Sequence, residues 1–189
     1  MMLEKLKTLE NELVKLEPLQ TAHSKVLWPI AQQIDLYQYS SSDVSSIEKL
    51  KGYISTALQD NNVIAFIIYD KRNAIHVGST RYGNIDVKNK VLHIGWTWIL
   101  PETQGTGLNH SMKFLMLRYA FEELNFEKVE FRIDQRNVKS RRAVEKLGAT
   151  LEGILRKNVT TKNNFRRSSC CYGILKEEWE TLKESHFNF

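Results

Sequence analysis

The stretch Ile99-Leu100-Pro101-Glu102-Thr103-Gln104-Gly105-Thr106-Gly107-Leu108-Asn109 decides how this chain folds. An apolar run, Val91 to Leu100, leads into it. Beyond it Leu108, Met112, Leu115 and Tyr119 recur at i, i+4, i+7 and i+11, one face of a helix spanning Leu108 to Leu124. The segment therefore reads as strand, glycine turn, helix. Gly105 and Gly107 let a ligand approach the backbone with no Cβ in the way. A helix starting near Gly107 presents unpaired N–H groups and a positive dipole end, so the turn is a candidate anion site. A Walker loop is excluded, because Leu108 and Asn109 follow Gly107 where Lys and Ser/Thr are required. A dinucleotide fingerprint is excluded too, because His110 stands where a third glycine is needed.

Outward from this segment the chain alternates helices and strands. Val14 to Leu16 is a short strand closed by Pro18. Thr21 to Gln33 reads as a helix kinked or ended by Pro29. Asp43 to Leu58 is helical by the spacing of Ile47, Leu50 and Ile54. Asn62 to Tyr69 and Ala74 to Tyr82 are strands joined through Asp70 to Asn73, and Val87 to Lys90 is the entry to the next strand. Lys128 to Asp134 alternates apolar and charged residues, a strand with unlike faces. Val138 to Leu147 is a short helix ended by Gly148. Thr150 to Lys157 and Ser168 to Leu175 are strands, and Glu177 to Glu184 is a closing helix. This order predicts an α/β (α+β) fold, with a mixed, mostly antiparallel sheet of about seven strands flanked by helices.

The 189 residues fit one domain, 1–189, and the 42% hydrophobic and 26% charged fractions exclude a disordered or fibrous chain. No apolar stretch approaches ~18 residues, so no spanning helix is expected. The charged segment Met1 to Glu17 lacks the features of a secretory signal, which leaves a cytoplasmic expectation. The adjacent Cys170 and Cys171 build neither a disulfide framework nor a zinc site, and no metal is expected. The net charge of +5 is uneven. Arg132 to Arg167 holds eleven basic and three acidic residues, a local +8 that leaves −3 elsewhere. Such a field suits a multiply phosphorylated small ligand or nucleic acid, and equally a solvated surface. Only Phe165 offers an aromatic platform there, which disfavours nucleic acid.

The loop resembles that of the GNAT superfamily of acyl-CoA-dependent N-acetyltransferases, Gln/Arg-x-x-Gly-x-Gly/Ala. Gln104 and Gly107 match, Asn109 departs, Pro101 stands where the family often has proline, and Ile99 where it has valine. Asn137-Val138-Lys139-Ser140 followed by Glu145-Lys146-Leu147-Gly148 is similar to a block of the ribosomal-protein N-terminal acetyltransferase (RimJ/RimL-like) branch. Leu151-Glu152-Gly153 and Glu177-Glu178-Trp179 are similar to that branch as well. The resemblance covers roughly Val14 to Trp179 and is most specific from Ile94 to Gly153.

This resemblance implies transfer of an acetyl group from acetyl-CoA to a primary amine by direct attack, with a protein or peptide N-terminal α-amine as acceptor. A small amine, amino acid or antibiotic is the alternative acceptor, and a silent acyl-CoA-binding module the alternative function. It also implies a sheet splayed between the fourth and fifth strands, those ending at Leu100 and Asp134. The pyrophosphate donors would be the amides of Gln104, Gly105, Thr106, Gly107, Leu108 and Asn109. The strand end at Ile99 and Leu100 would pair with the pantetheine arm, with the Ile99 N–H near the thioester carbonyl. Asn137 would touch the cofactor arm, and it also suits capping of the helix from Val138. The family's tyrosine acid, seven residues after the asparagine, is Val144 here, which leaves Ser140 as the group beside the sulfur or as a plain first-turn serine. His93, then Glu130, then Glu102 are the candidate bases. Trp96 and Trp98, sharing one face opposite Thr97, either line an acceptor pocket or pack in the core. Arg141 and Arg142 are phosphate contacts or surface charge. The segment Thr21 to Asn61 is expected on the acceptor side. The partner is the amine acceptor, no membrane is involved, and the state is monomer or homodimer.

Overall fold

β-branched and aromatic runs set the sheet. The computed structural model describes residues 7–33, 39–161 and 164–187, and among them eight strands form one sheet. These are β1 (Leu9–Glu10), β2 (Val14–Pro18), β3 (Ile64–Asp70), β4 (Ile75–Asp86), β5 (Val91–Ile99), β6 (Lys128–Asp134), β7 (Thr150–Thr160) and β8 (Arg166–Leu175). Their order across the sheet is β1-β2-β3-β4-β5-β6-β8-β7. Neighbours run antiparallel except β5 and β6, which are parallel and pair only from Val91↔Lys128 to His93↔Glu130. Beyond His93 the two strands part, which opens the expected splay. The two-residue β1 is too short to carry a periodic signal and raises the strand count from seven to eight. No helix among the described residues is long and apolar enough to cross a membrane.

Among the described residues, five α-helices cover the faces: α1 (Ser24–Gln33), α2 (Ile47–Gln59), α3 (Leu108–Arg118), α4 (Val138–Glu145) and α5 (Trp179–His186). Adjacent residues of β4 show which face each helix takes. Thr80 touches Lys113 and Met116 of α3, while Arg81 stacks on Tyr53 of α2, so α2 and α3 lie on opposite faces. Phe131 is paired with Tyr172, whose hydroxyl meets Arg141 and Glu145 of α4. The other face of β6, with Glu130 and Arg132, therefore lies away from α4.

Several boundaries differ from expectation for identifiable reasons. α1 runs through Pro29, because Leu27, Ile30 and Ala31 bury on either side of the exposed proline and outweigh one missing hydrogen bond. α2 starts at Ile47 rather than Asp43. The Ser46 side chain caps it by accepting from the Lys49 amide at 3.2 Å, and Asp43 is folded into a turn with Ser45. β4 extends to Asp86, and Val87 to Lys90 is the hairpin turn itself, tied by Asp86 Oδ1 to the Asn89 amide. α3 gives way at Tyr119–Glu123 to a π-helical turn, where the Tyr82 hydroxyl donates to the Met116 carbonyl at 2.6 Å.

Candidate functional site

The glycine segment folds as a strand end, a 3₁₀ turn over Pro101–Thr103, and a two-glycine step into α3. Thr103 closes the turn: its amide and hydroxyl both donate to the Leu100 carbonyl, at 3.0 and 2.7 Å. Gly105 and Gly107 take φ +81° and +86°, the left-handed region that favours glycine. A Cβ at either would meet nothing within 4 Å, so the space beside both is open. Among the described residues, no protein acceptor takes the amides of Gly105, Thr106, Gly107, Leu108 or Asn109; the first intrahelical bond of α3 is Ser111 N to Gly107 O at 2.9 Å. Two cations stand at the loop. Arg72 donates to the carbonyl and hydroxyl of Thr106 at 3.3 and 3.1 Å, and Lys139 bonds the Gln104 side chain. This row of amides at a helix start, with flanking positive charge and no Cβ in front, fits a pyrophosphate.

Two expected donors lie outside that row. The Gln104 amide is spent inside the turn on Pro101 O at 3.1 Å, and its side chain bonds Lys139. Leu100 is committed in both directions, its amide to Val77 O at 2.8 Å and its carbonyl to Thr103. The Leu100 amide faces β4, so the amide of the preceding Ile99 faces the other edge, into the splay. The basic field does not gather at the loop. Arg136 pairs with Asp134 at 2.7 Å and stacks on Phe165, and Arg141 is held by Tyr172 and Gln135. Arg142 is exposed. Lys162 lies outside the described residues.

On the α4 side, the Asn137 side chain accepts from the Ser140 amide at 3.0 Å, the capping role expected of it. Ser140 is half-buried in the first turn of α4, and Val144 packs in the core at the position of the family's tyrosine. Tyr172 is no substitute acid: burial pushes its phenol up, and its hydroxyl already donates to Glu145 at 2.6 Å.

His93 turns out to be the wedge at the vertex of the splay. The β5–β6 ladder ends at His93, and the next β6 amide on that edge, Arg132 N, donates to His93 Nε2 at 3.2 Å. With Nε2 accepting, the ring proton is on Nδ1, and the Asn84 side-chain amide 3.4 Å away must turn its oxygen, not its NH2 group, to accept it. Burial, with the charges of Arg132, Lys113 and Arg167, pushes its pKa down to about 4. The lone pair a base requires is engaged, so the geometry argues against His93 as the base. Glu130 sits in register with His93 on the same face, about a quarter exposed, between Lys128 at 3.5 Å and Arg132 at 3.4 Å. Glu102 is exposed at the loop edge.

A bulge explains the tryptophans. Ser79 pairs with Trp98 and Arg81 with Gly95, so Trp96 and Thr97 together oppose Thr80. Trp96 takes φ +49° and the strict alternation is lost. Trp96, Thr97 and Trp98 then all line one pocket of about 70 Å³, with Ser40, Ser42, Val44 and Tyr53. The segment before β3 contributes Ser40, Ser42, Val44 and Tyr53 to this pocket; its residues 34–38 lie outside the described residues. Cys170 is buried and Cys171 half-buried, and burial pushes the Cys171 thiol up, so neither is an activated nucleophile.

Two buried cations escaped sequence reading. Lys113 of α3 is 5% exposed, with Nζ 2.7 Å from Thr97 Oγ1 and 3.4 Å from Thr80 Oγ1, and burial pushes its pKa down to about 7. Arg81 is also 5% exposed. The available signals were a lysine in the apolar row of Met116, Leu117 and Ala120, and an arginine inside the run Ile75 to Ile85, which holds no other Asp, Glu, Lys or Arg.

Comparison with known proteins agrees with this geometry. Residues 14–150 match the family model described as the acetyltransferase (GNAT) domain. Over 123 residues the chain is 32% identical to a Bacillus subtilis (strain 168) protein named "Putative ribosomal N-acetyltransferase YdaF"; the match spans 65% of this chain and 64% of that one. It is 30% identical over 135 residues, 71% of this chain and 74% of the other, to the SPbeta prophage-derived uncharacterized N-acetyltransferase YokL of the same organism. The crystal structure of a GCN5-related N-acetyltransferase from Brucella melitensis superposes with a TM-score of 0.88 at 25% identity, over 96% of this chain and 84% of that one. GNAT acetyltransferases take their acetyl group from acetyl-CoA, whose pyrophosphate the Gly105–Asn109 amides fit. With the parted β5 and β6, the glycine step into α3 and a family match over most of its length, this chain belongs to the GNAT acetyltransferase family.

Proposed function

We propose that this protein is an acetyl-CoA-dependent N-acetyltransferase acting on a primary amine, with the α-amino group of a protein or peptide as acceptor. The observation that carries the reading is the run of uncommitted amides from Gly105 to Asn109 at the start of α3. Acetyl-CoA supplies an acetyl group already activated as a thioester. Gly105 to Asn109 hold its pyrophosphate, and Asn137 and the free edge of β5 hold its arm. The Ile99 N–H, directed into the splay, donates to the carbonyl oxygen that gains negative charge as the amine attacks. The Ser140 hydroxyl hydrogen-bonds the departing sulfur. An α-amine with pKa near ~7.7–8.0 is partly neutral at working pH, so Glu130 suffices as a weak base, which a lysine acceptor near ~10.4 would strain. The same reading carries a cytoplasmic location and a monomer or homodimer.

Val144 in place of a tyrosine and the engaged lone pair of His93 favour a second reading, a silent acyl-CoA-binding module. Calorimetric titration with acetyl-CoA tests the shared step. Wild type is expected to bind one equivalent and Gly107→Glu none, because glutamate puts bulk and negative charge in the cradle. Absence of binding by wild type would sink both readings. Release of free CoA on adding a peptide amine then separates them, since a silent module binds without turnover.

A further inference from the structure

Among the described residues, Arg81 has a buried charge and no carboxylate to meet it. Its Nε and Nη2 are both buried without a hydrogen-bond partner, and no carboxylate of the described residues pairs with it. The Tyr53 ring lies 3.9 Å from the guanidinium carbon and the Trp96 ring 5.6 Å. Stacked rings stabilise the cation but leave the in-plane N–H groups of Nε and Nη2 unused. Of the other ionised groups of this face, Glu130 pairs with Lys128 and Arg132, and Asp134 with Arg136, while Arg167 donates to the Tyr39 carbonyl and keeps its own Nε unpartnered. An unpaired buried charge is costly enough that a folded protein seldom keeps one without use for it.

Position and geometry define that use. Arg81 is opposite Gly95 on the α2 face of the sheet, and Tyr53 and Trp96, which contact it, line the pocket beside the bulge. Gly95 is five strand residues from Leu100, roughly 16 Å at the rise of a strand, so Arg81 is not part of the phosphate loop. The two unpartnered nitrogens, Nε and Nη2, form one edge of the guanidinium, a fork whose parallel N–H groups match the two oxygens of a carboxylate.

We propose that Arg81 is the anion-binding group of the acceptor pocket, and that the acceptor bears a carboxylate close to the amine it presents, as an acidic peptide N-terminus does. This inference rests on the acetyltransferase reading and specifies its substrate. It disfavours polyamines, since the face already holds Arg81, Arg132 and Arg167.

The test is binding to CoA-loaded protein, where no turnover intervenes. The probes are the amidated peptides Ser-Glu-Ala-Ala and Ser-Gln-Ala-Ala, and free glutamate. Wild type is expected to bind the glutamate peptide about 10- to 100-fold more tightly than the glutamine peptide. Arg81→Met should erase the difference, and Arg81→Lys, which keeps charge but not the fork, should lose most of it. Both variants should titrate with acetyl-CoA as wild type does. Arg81→Met should melt at the same or a higher temperature, because it removes an unpaired buried charge. If only free glutamate shows Arg81-dependent binding, the carboxylate subsite stands and its acceptor is an amino acid. Equal binding of the two peptides and no binding of glutamate would overturn the inference. So would a preference that survives in Arg81→Met, or a lowered melting temperature, which marks Arg81 as structural. Failure of wild type to bind acetyl-CoA would instead remove the acetyltransferase reading, and this inference with it.

Discussion

Lys113 offers a stability measurement that needs no substrate. Its amine is enclosed between α3 and the bulge of β5, donates to Thr97 and Thr80, and faces no carboxylate of the described residues. Burial alone pushes its pKa down to about 7 from an ordinary 10.5. Below pH 7 the amine carries a proton in both the folded and the unfolded chain. Between pH 7 and 10.5 the unfolded chain holds the proton and the folded protein does not, so stability rises with pH across that window. Linkage with these two values gives a gain of about 1 kcal/mol from pH 7 to pH 8 and about 2 kcal/mol from pH 7 to pH 9.

The perturbation is Lys113→Met, which keeps the chain length and removes the titrating group. The Thr80 and Thr97 hydroxyls already lie 2.7 Å apart, so they satisfy one another once the amine is gone. Urea unfolding of both proteins at pH 7, 8 and 9 isolates the effect, since other titrating groups cancel in the difference. Wild type should gain about 2 kcal/mol relative to Lys113→Met over this range. Parallel pH profiles would refute the reasoning, because they would mean that the lysine keeps an ordinary pKa through hydration or an anionic partner.

Asn137→Ala should cost about 1 kcal/mol in unfolding experiments, through loss of the cap on the Ser140 amide. Asn137→Ser preserves a cap, so any weakening of acetyl-CoA binding that persists in it reports contact with the cofactor arm. His93→Gln keeps an acceptor for the Arg132 amide and should leave the acid-side limb of kcat/KM, the limb a base sets as it loses its proton, unchanged. A limb that moves or vanishes in that variant would restore His93 as the base, against the engaged Nε2 and the pKa near 4.

The sequence reading captured what repeats and what punctuates. Alternation at Val129, Phe131 and Ile133 fixed β6, and the heptad-like row from Leu108 to Tyr119 fixed α3, because each period reports a buried face directly. The two glycines marked the cradle because only backbone with φ near +80° makes that step. It missed whatever depends on two distant segments meeting. The Gln104 and Leu100 amides look as available as those of Gly105 or Thr106 until the 3₁₀ turn and Val77 consume them. Trp96 and Trp98 read as a regular pair until the bulge opposite Thr80 puts Thr97 beside them. His93 shows the limit most sharply. As a histidine on the strand leading to the loop it has the right chemistry in the right place, and only the parting of β5 from β6 turns its lone pair toward the Arg132 amide.

That parting also accounts for the charge pattern of the site. Separating two parallel strands strips their facing edges of ladder partners, and every exposed amide on those edges favours negative charge nearby. On β5 the Ile99 amide faces the opening, and on β6 the Arg132 amide is covered by His93. The buried guanidinium of Arg81 extends the same preference from the α2 face, with no carboxylate of the described residues beside it. A cleft built this way repels an ammonium ion and accepts a neutral amine. An acceptor that brings a carboxylate to Arg81 is drawn in by one end while its amine sheds its proton at the other. In this account the cations select for the reactive form of the nucleophile, which is how a site with His93 engaged and Val144 in place of a tyrosine can still favour attack. Charge reversal at Arg81 is then the most damaging single change. Arg81→Glu should retain acetyl-CoA binding at Gly105–Asn109 yet raise the pH at which half-maximal kcat/KM is reached, because a carboxylate in the pocket stabilises the protonated amine. An unshifted profile in a folded, acetyl-CoA-binding Arg81→Glu protein would show that the pocket cations do not act on the acceptor.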